Sequence, residues 1–472
     1  MAYGAQPLPG EDKEDQMPEH STGAPVLMPQ VAAPGVPAAL ERRNILLLQG
    51  LMGPLFRKVG QALRRDGYGV YKVNFNGGDR LFWRLPNGID YRGTPAEWPG
   101  ALERIIADRG ITDVVLFGDC RPLHIAAIAL CRDLHIPVHV FEEGYIRPDW
   151  VTLELGGVNG HSTLPRDAAW YRAEAATLPP VPPQHPFPSS FRRRAVEGIL
   201  YNLADVLTRW HYPFWENHRP FHPVVEGIGW ARRLMRRKEA RERADAVLAR
   251  LAMTTEPYMV FPLQLDSDAQ IRFHSSFAGV ADALLMVITS FASHAPKDMR
   301  LVVKEHPLDN GVRDWRDEAM MLAALHGVAD RIDYLEMGDI VPVTQRSKGM
   351  VTINSTSGTL AIALDIPVIA LGQAVYDIEG VTYQGRLDDF WRDPGKPDAE
   401  TFAAFRRVLI DRCLVAGGFF SDEALDKVIE GVVARLEAAS PLKVAIPQVR
   451  NPTVPATAVW QPPEIGDQHH PR

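Results

Sequence analysis

Short apolar runs that stop abruptly in polar residues recur along this chain. Asn44-Ile45-Leu46-Leu47-Leu48 stops at Gln49-Gly50, Thr112 to Phe117 stops at Gly118-Asp119-Cys120-Arg121-Pro122, and Val138-His139-Val140-Phe141 stops at Glu142-Glu143-Gly144-Tyr145. Between them the period lengthens. After Gly53, Phe56, Val59 and Leu63 share one face while Arg57, Lys58 and Arg64 share another, which predicts an amphipathic helix. Tyr68 to Phe75 reads as a second strand ending in Asn76-Gly77-Gly78-Asp79, and helices are predicted over 95–109 and 122–134. Apolar runs of strand length alternating with helical periods indicate repeated βα units and a parallel, doubly wound sheet.

The pattern stops and then starts again. Residues 163–190 are Pro-rich and read as a linker or interdomain crossing, and residues 189–256 read as a helical insertion. Strands are then predicted at 258–263, 301–304, 331–335, 350–353 and 367–371, with long helices at 400–415 and 421–438. The expected fold is therefore α/β, with two Rossmann-like domains, 41–188 and 257–438, facing a central cleft. The Pro-, Gly- and Ala-rich stretch 1–40 reads as a disordered arm and 439–472 as a Pro-rich tail.

Chemistry concentrates where strands end, because open α/β sheets bind ligands beyond the carboxyl ends of their strands. Lys304-Glu305-His306-Pro307 follows Leu301-Val302-Val303 and places a cation, a carboxylate and an imidazole there. His306 can donate a proton or hydrogen bond to a departing phosphate oxygen, or it can simply cap the next helix. Ser355, Thr356, Ser357 and Gly358 join a strand to a helix and suit a neutral phosphate cradle or an ordinary N-cap, roles that are compatible. No ATPase-type phosphate loop precedes them. Asp266 and Asp268, with Gln264, face one side if the segment stays extended. Lacking a third ligand at sensible spacing, they fit a nucleophile or cation-stabilising pair better than a metal site; a helix N-cap before Ile271-Arg272-Phe273 is the alternative.

In the first domain, Glu142 and Glu143 end a buried strand, so one of them reads as a general base rather than part of a solvated turn. Asp119, Arg121 and Tyr145 lie at the same edge. Gly50 opens a strand-Gly-helix unit that either holds a phosphate or sugar or serves packing alone, since the three-glycine fingerprint is absent.

Composition narrows the picture. The 472 residues are 46% hydrophobic and 23% charged, ordinary for a chain with a sizeable core, and the net charge of −7 argues against a nucleic-acid partner. Three cysteines without metal-ligand spacing fit a reducing cytosol and predict neither disulfides nor a zinc site. The absence of a secretory segment or a long apolar run predicts a soluble or peripheral protein. Residues 189–250 stand apart, with 13 Lys/Arg against 7 Asp/Glu interleaved with Phe191, Tyr201, Trp210, Tyr212, Phe214, Trp215, Phe221 and Trp230. That mixture suits an anionic membrane surface, or else a solvated helical bridge with its aromatics packed inward.

Five segments in order resemble a known family: Asn44 to Gly50, Phe141 to Pro148, Pro262 to Asp268, Lys304 to Pro307 and Asn354 to Gly358. The general pattern is similar to CMP-sugar-using glycosyltransferases of the GT-B type, including bacterial sialyltransferases. The closer resemblance is to the capsule β-Kdo transferases, the capsule polysaccharide biosynthesis and export proteins that begin the lipid anchor of group 2 capsules. It covers roughly 44–437. It implies retaining transfer of Kdo from CMP-β-Kdo, without a cofactor or metal, to a (lyso)phosphatidylglycerol acceptor at the inner face of the cytoplasmic membrane, with other capsule assembly and export proteins as possible partners. The first domain would then be the acceptor side and the second the CMP-sugar side. His306, Ser355 and Thr356 would hold the CMP phosphate, and Asp268 or Asp266 would be the nucleophile. Glu143 would be the acid/base on the acceptor hydroxyl, and Lys304 or Arg272 would meet the sugar carboxylate. A single set of motifs implies addition of one Kdo. Two other readings stay open: a GT-B enzyme using another nucleotide sugar, and a non-catalytic scaffold of a capsule export complex held to the membrane by 189–250.

Overall fold

The computed structural model describes residues 43–438 apart from 184–185, 218–220 and 222; the expected arm of 1–40 and tail of 439–472 lie outside the described residues. Among the described residues, twelve strands form two sheets. In the first half they are β1 (Asn44–Leu47), β2 (Gly69–Asn74), β3 (Gly88–Asp90), β4 (Asp113–Phe117), β5 (Val138–Glu143) and β6 (Trp150–Leu155). The second half contributes β7 (Tyr258–Pro262), β8 (Arg300–Lys304), β9 (Ile332–Leu335), β10 (Gly349–Thr352) and β11 (Val368–Ala370), and β12 (Leu414–Ala416) follows. The first sheet runs β12-β6-β5-β4-β1-β2-β3 and the second β11-β10-β7-β8-β9. The second is parallel throughout, as are the β5-to-β3 strands of the first.

The central strands are apolar on both faces because helices cover both: Ile45, Leu46 and Leu47 are all fully buried. The helix Leu55–Arg65 buries Leu55, Phe56, Val59 and Leu63 and turns its basic residues outward, as its period predicts. Both βα-built halves face one cleft, and the register of β7 with β8 and β10 sets three payload-bearing strand ends side by side.

Three features depart from the sequence reading. The Pro-rich stretch contains a helix, Ala168–Thr177, whose fully buried Tyr171 packs against Phe405 at 5.3 Å between ring centroids. Strand β6, unpredicted, returns antiparallel along β5. The segment 399–438, expected in the second domain, instead covers the first sheet. Its helix Ala399–Arg412 lies on Ala168–Thr177, β12 pairs antiparallel with β6, and the helix Asp422–Ala438 packs against Leu55–Arg65. Its apolar period identifies the helices but not which sheet they cover.

The insertion consists of the helices Phe191–Leu207, Pro223–Met235 and Arg237–Met253. The first lies on the helix Gly77–Trp83, where a Cβ on Gly78 would sit 2.5 Å from the Tyr201 ring, so only glycine permits this approach. The third lies along β9, where Arg243 forks onto Glu336 at 2.9 and 2.7 Å. The insertion thus grips both halves. Its aromatics divide: Tyr201, Tyr212 and Trp215 are buried, whereas Phe191, Trp210, Phe214 and Trp230 are exposed.

Candidate active site

A cleft of about 1540 Å³ opens between the two sheets. Of the residues singled out in the sequence, Asp119, Arg121, Glu142, Glu143 and Tyr145 line it from the first half, and Gln264, Asp266, Asp268, Glu305, His306, Pro307, Ser355 and Thr356 from the second. Lys304, Ser357, Gly358, Arg272 and Gly50 are not on its walls.

The first-half wall is built on the end of β5. Glu142 and Glu143 are chain neighbours in opposite electrostatic situations. Glu143 is held by Arg147 at 2.8 Å and by Arg194 of the insertion at 3.1 Å. Although burial opposes ionisation, the two guanidiniums keep its carboxyl below the usual glutamate range. Glu142 lacks such a pair of guanidiniums among the described residues. Burial, with Glu143, Asp268 and Asp119 nearby, pushes its pKa up to about 8, against the single amide of Glu143 that its Oε1 accepts at 2.9 Å. One carboxylate is a fixed charge and the other can carry a proton near neutrality.

The second-half wall offers mostly neutral donors. The Nδ1 of His306 accepts the Leu308 amide at 3.1 Å, so its proton sits on Nε2 when the ring is neutral. Burial, reinforced by Arg147, lowers its pKa to about 4, and Glu143 only partly offsets this. A neutral His306 can still donate a hydrogen bond through Nε2, one of the two roles its sequence context suggested. Ser355 Oγ accepts the Ser357 amide at 3.1 Å, while Thr356, next in line, makes no side-chain cap bond to its helix. Gln264 and Asn354 bond reciprocally, Nε2 to Oδ1 at 2.8 Å and amide to Oε1 at 3.1 Å, which ties the end of β7 to the end of β10.

The two aspartates separate. Asp268 caps the helix Ala269–His274, its Oδ1 accepting the Gln270 amide at 2.9 Å, so the capping alternative holds. It still lines the cleft, and burial, with Glu143 opposite, raises its pKa. Asp266 turns toward the Val280 amide at 3.2 Å and toward Arg313 at 3.8 Å.

Other expected residues serve the scaffold. Lys304 is 3% exposed, and its Nζ donates to the Glu305 carbonyl at 2.8 Å. Glu305 sits between Arg233 at 3.1 Å and the Tyr334 hydroxyl at 2.9 Å, burial raising its pKa to about 7. Arg272 is exposed outside the cleft. The Tyr145 hydroxyl points inward and donates to Glu154. Gly50 accepts Arg121 on its carbonyl at 3.1 Å, and a Cβ there would meet Phe56 at 2.9 Å, so packing accounts for it. Gly358 likewise leaves room for Tyr376.

The cations that do reach the cleft include Arg147, Arg194 and Arg233, none of which the sequence reading assigned. Arg147 belongs to the conspicuous Tyr145-Ile146-Arg147-Pro148 segment and was within reach. Arg194 and Arg233 belong to the insertion, whose charge was visible but whose aim was not. Arg233 also donates to the Pro307 carbonyl at 3.1 Å, so it braces the His306 turn.

The family model for capsule polysaccharide biosynthesis proteins matches residues 112–420, a stretch that carries both walls of this cleft. The chain belongs to the capsule polysaccharide biosynthesis protein family. It is 37% identical over 386 residues to the capsule polysaccharide export protein KpsS of Escherichia coli, covering 81% of this chain and 98% of that protein. With the capsule polysaccharide modification protein LipB of Neisseria meningitidis serogroup A it shares 34% identity over 384 residues, 80% of this chain and 92% of the relative. Among solved structures, KpsC of Thermosulfurimonas dismutans, described as a β-Kdo 2,7 transferase, aligns with 84% of this chain and 100% of its own, at 15% identity and a TM-score of 0.39.

Proposed function

We propose that the cleft is the active site of a retaining glycosyltransferase that moves Kdo from CMP-Kdo to a (lyso)phosphatidylglycerol acceptor and so begins the lipid anchor of a capsular polysaccharide. The observation that carries the proposal is the polarity of the cleft: a proton-holding carboxyl and a second carboxylate face a neutral imidazole donor and a Ser-Thr pair across one space. In this reading the Nε2–H of His306 and the hydroxyls of Ser355 and Thr356 bond the CMP phosphate. Asp268 attacks the anomeric carbon of Kdo as the bond to the phosphate oxygen breaks, and CMP leaves as an anion that needs no proton. Kdo's anomeric carbon carries a carboxylate and no hydrogen, so its cation is crowded, and Arg147 and Arg194 suit that carboxylate. Glu142, once deprotonated, takes the acceptor's hydroxyl proton as the acceptor oxygen displaces Asp268, giving net retention. Family resemblance alone gives this role to Glu143; the paired arginines make Glu143 the weaker base, which is why Glu142 is chosen here.

The lipid acceptor is supported by the insertion. Ile199, Leu203 and Leu234 are 50–67% exposed and line the cleft mouth beside Arg232, Arg236 and Arg237. Apolar walls rimmed by cations suit an acyl chain beneath an anionic headgroup at the inner face of the cytoplasmic membrane. No helix among the described residues is long and apolar enough to cross a membrane. The experiment is incubation of the full chain with CMP-Kdo, generated in situ, and short-chain phosphatidylglycerol, followed by mass analysis of the lipid. One added Kdo is expected. CMP release without a lipid product would overturn the acceptor, and no CMP at all would favour a scaffold.

A further inference from the structure

At the floor of the cleft, four side chains from three distant segments converge. Asp119 and Cys120 follow β4, His161 ends the short turn Asn159–His161, and His274 ends the helix that Asp268 caps. One ligand-capable atom from each lies within 4.8 Å of all the others. The nearest approaches are His161 Nδ1 to Asp119 Oδ2 at 3.0 Å, Cys120 Sγ to Asp119 Oδ1 at 3.2 Å and Cys120 Sγ to His274 Nε2 at 3.3 Å. A tetrahedral divalent ion with bonds of about 2.0–2.3 Å needs its ligand atoms about 3.3–3.8 Å apart. The nearest approaches are therefore within a few tenths of an ångström of that spacing, and the four ligand atoms, all within 4.8 Å of one another, need draw in by about 1 Å at most.

We propose that Asp119, Cys120, His161 and His274 form a zinc-type site that fastens the two halves of the molecule together at the floor of the cleft. The donor set is one thiolate, one carboxylate and two imidazoles, which suits a borderline-soft divalent cation. Its charges also balance: a dication against one thiolate and one carboxylate is neutral, which matters where Asp119, Cys120 and His274 are 2%, 4% and 0% exposed. Binding transfers the Cys120 thiol proton to solvent as the sulfur-metal bond forms, and the imidazoles bind neutral. Without a metal the cluster is poorly satisfied. The His274 Nε2, the ring nitrogen that faces the cluster, has only a thiol, a weak partner. Asp119 is also oriented from behind, its Oδ2 accepting the Val158 amide at 3.0 Å, as ligating carboxylates commonly are. Because His274 and Asp268 sit at opposite ends of one short helix, a metal here would hold that helix in place against the first half.

Cobalt(II) is the direct probe. The untagged full chain, stripped with chelator and kept reduced, is titrated with cobalt(II) and followed by absorption. The expected result is a thiolate-to-cobalt charge-transfer band with tetrahedral visible bands, saturating at one ion per chain and displaced by zinc. The charge-transfer band should vanish in Cys120→Ser and persist in Cys131→Ala. His161→Ala, at a partly exposed position, should fold normally by circular dichroism and weaken cobalt binding by about tenfold or more. No charge-transfer band in the folded wild type, or a band that survives Cys120→Ser, would overturn the site. If Cys120→Ser does not fold, an unchanged cobalt affinity in His161→Ala overturns it equally.

Discussion

The two walls of the cleft solve opposite electrostatic problems. The first-half wall, at the end of β5, holds two adjacent glutamates whose proton affinities are driven apart, Glu142 up by burial and Glu143 down by Arg147 and Arg194. The second-half wall suppresses charge: His306 is kept neutral by burial and nearby arginines, and Ser355 and Thr356 carry none. In the proposed reaction this contrast assigns proton transfer to the first half and recognition of an anionic leaving group to the second. It also makes chain neighbours unequal, which substitutions can break.

The largest expected effect is at Glu142. Glu142→Gln should lower kcat for transfer by about 10²–10⁴-fold, the usual worth of a positioned base, while CMP-Kdo still binds. The pH profile follows from the sign of the shift. A carboxyl raised to about 8 is mostly protonated below that value and inactive as a base, so the wild-type rate should climb from pH 6 through pH 8 and level above it. A rate already flat at pH 6 would return the role to Glu143. Next comes His306→Ala, which removes a donor to a charged oxygen. A loss of about 1.5–3 kcal/mol, roughly 10–150-fold in kcat/KM, is expected, with partial recovery in His306→Gln. Because this imidazole is neutral down to about pH 4, no inflection from it should appear between pH 5 and 7. Glu143→Gln should cost less, about 1 kcal/mol in kcat/KM, by loosening two partly exposed ion pairs. Smallest is Arg272→Ala: its exposed side chain lies off the cleft, and kinetics indistinguishable from wild type are expected.

Much of this was legible in the sequence for a physical reason. Strands covered on both faces must be apolar throughout, so β1, β4, β5, β7, β8 and β10 stood out, and their polar ends marked the cleft. What the sequence left open shares a different cause. Whether Asp268 caps a helix, and whether Lys304 points outward or back onto the Glu305 carbonyl, depends on local geometry that residue type does not specify. The return of 399–438 to the first sheet, the aim of Arg194 and Arg233, and the meeting of Cys120 with His161 and His274 are long-range facts. Spacing along a chain reports ligands that share an element; the candidate ligands proposed here come from three segments, so the cysteine pattern carried no sign of them.

The most direct test of the central claim is to interrupt the two-step transfer. Glu142→Gln, incubated with CMP-Kdo and phosphatidylglycerol, should accumulate protein heavier by one Kdo residue, because its second step lacks a base, and peptide mapping should place the sugar on Asp268. An unmodified protein that nonetheless transfers Kdo at the wild-type rate, or an adduct mapped to Asp266, would contradict the account.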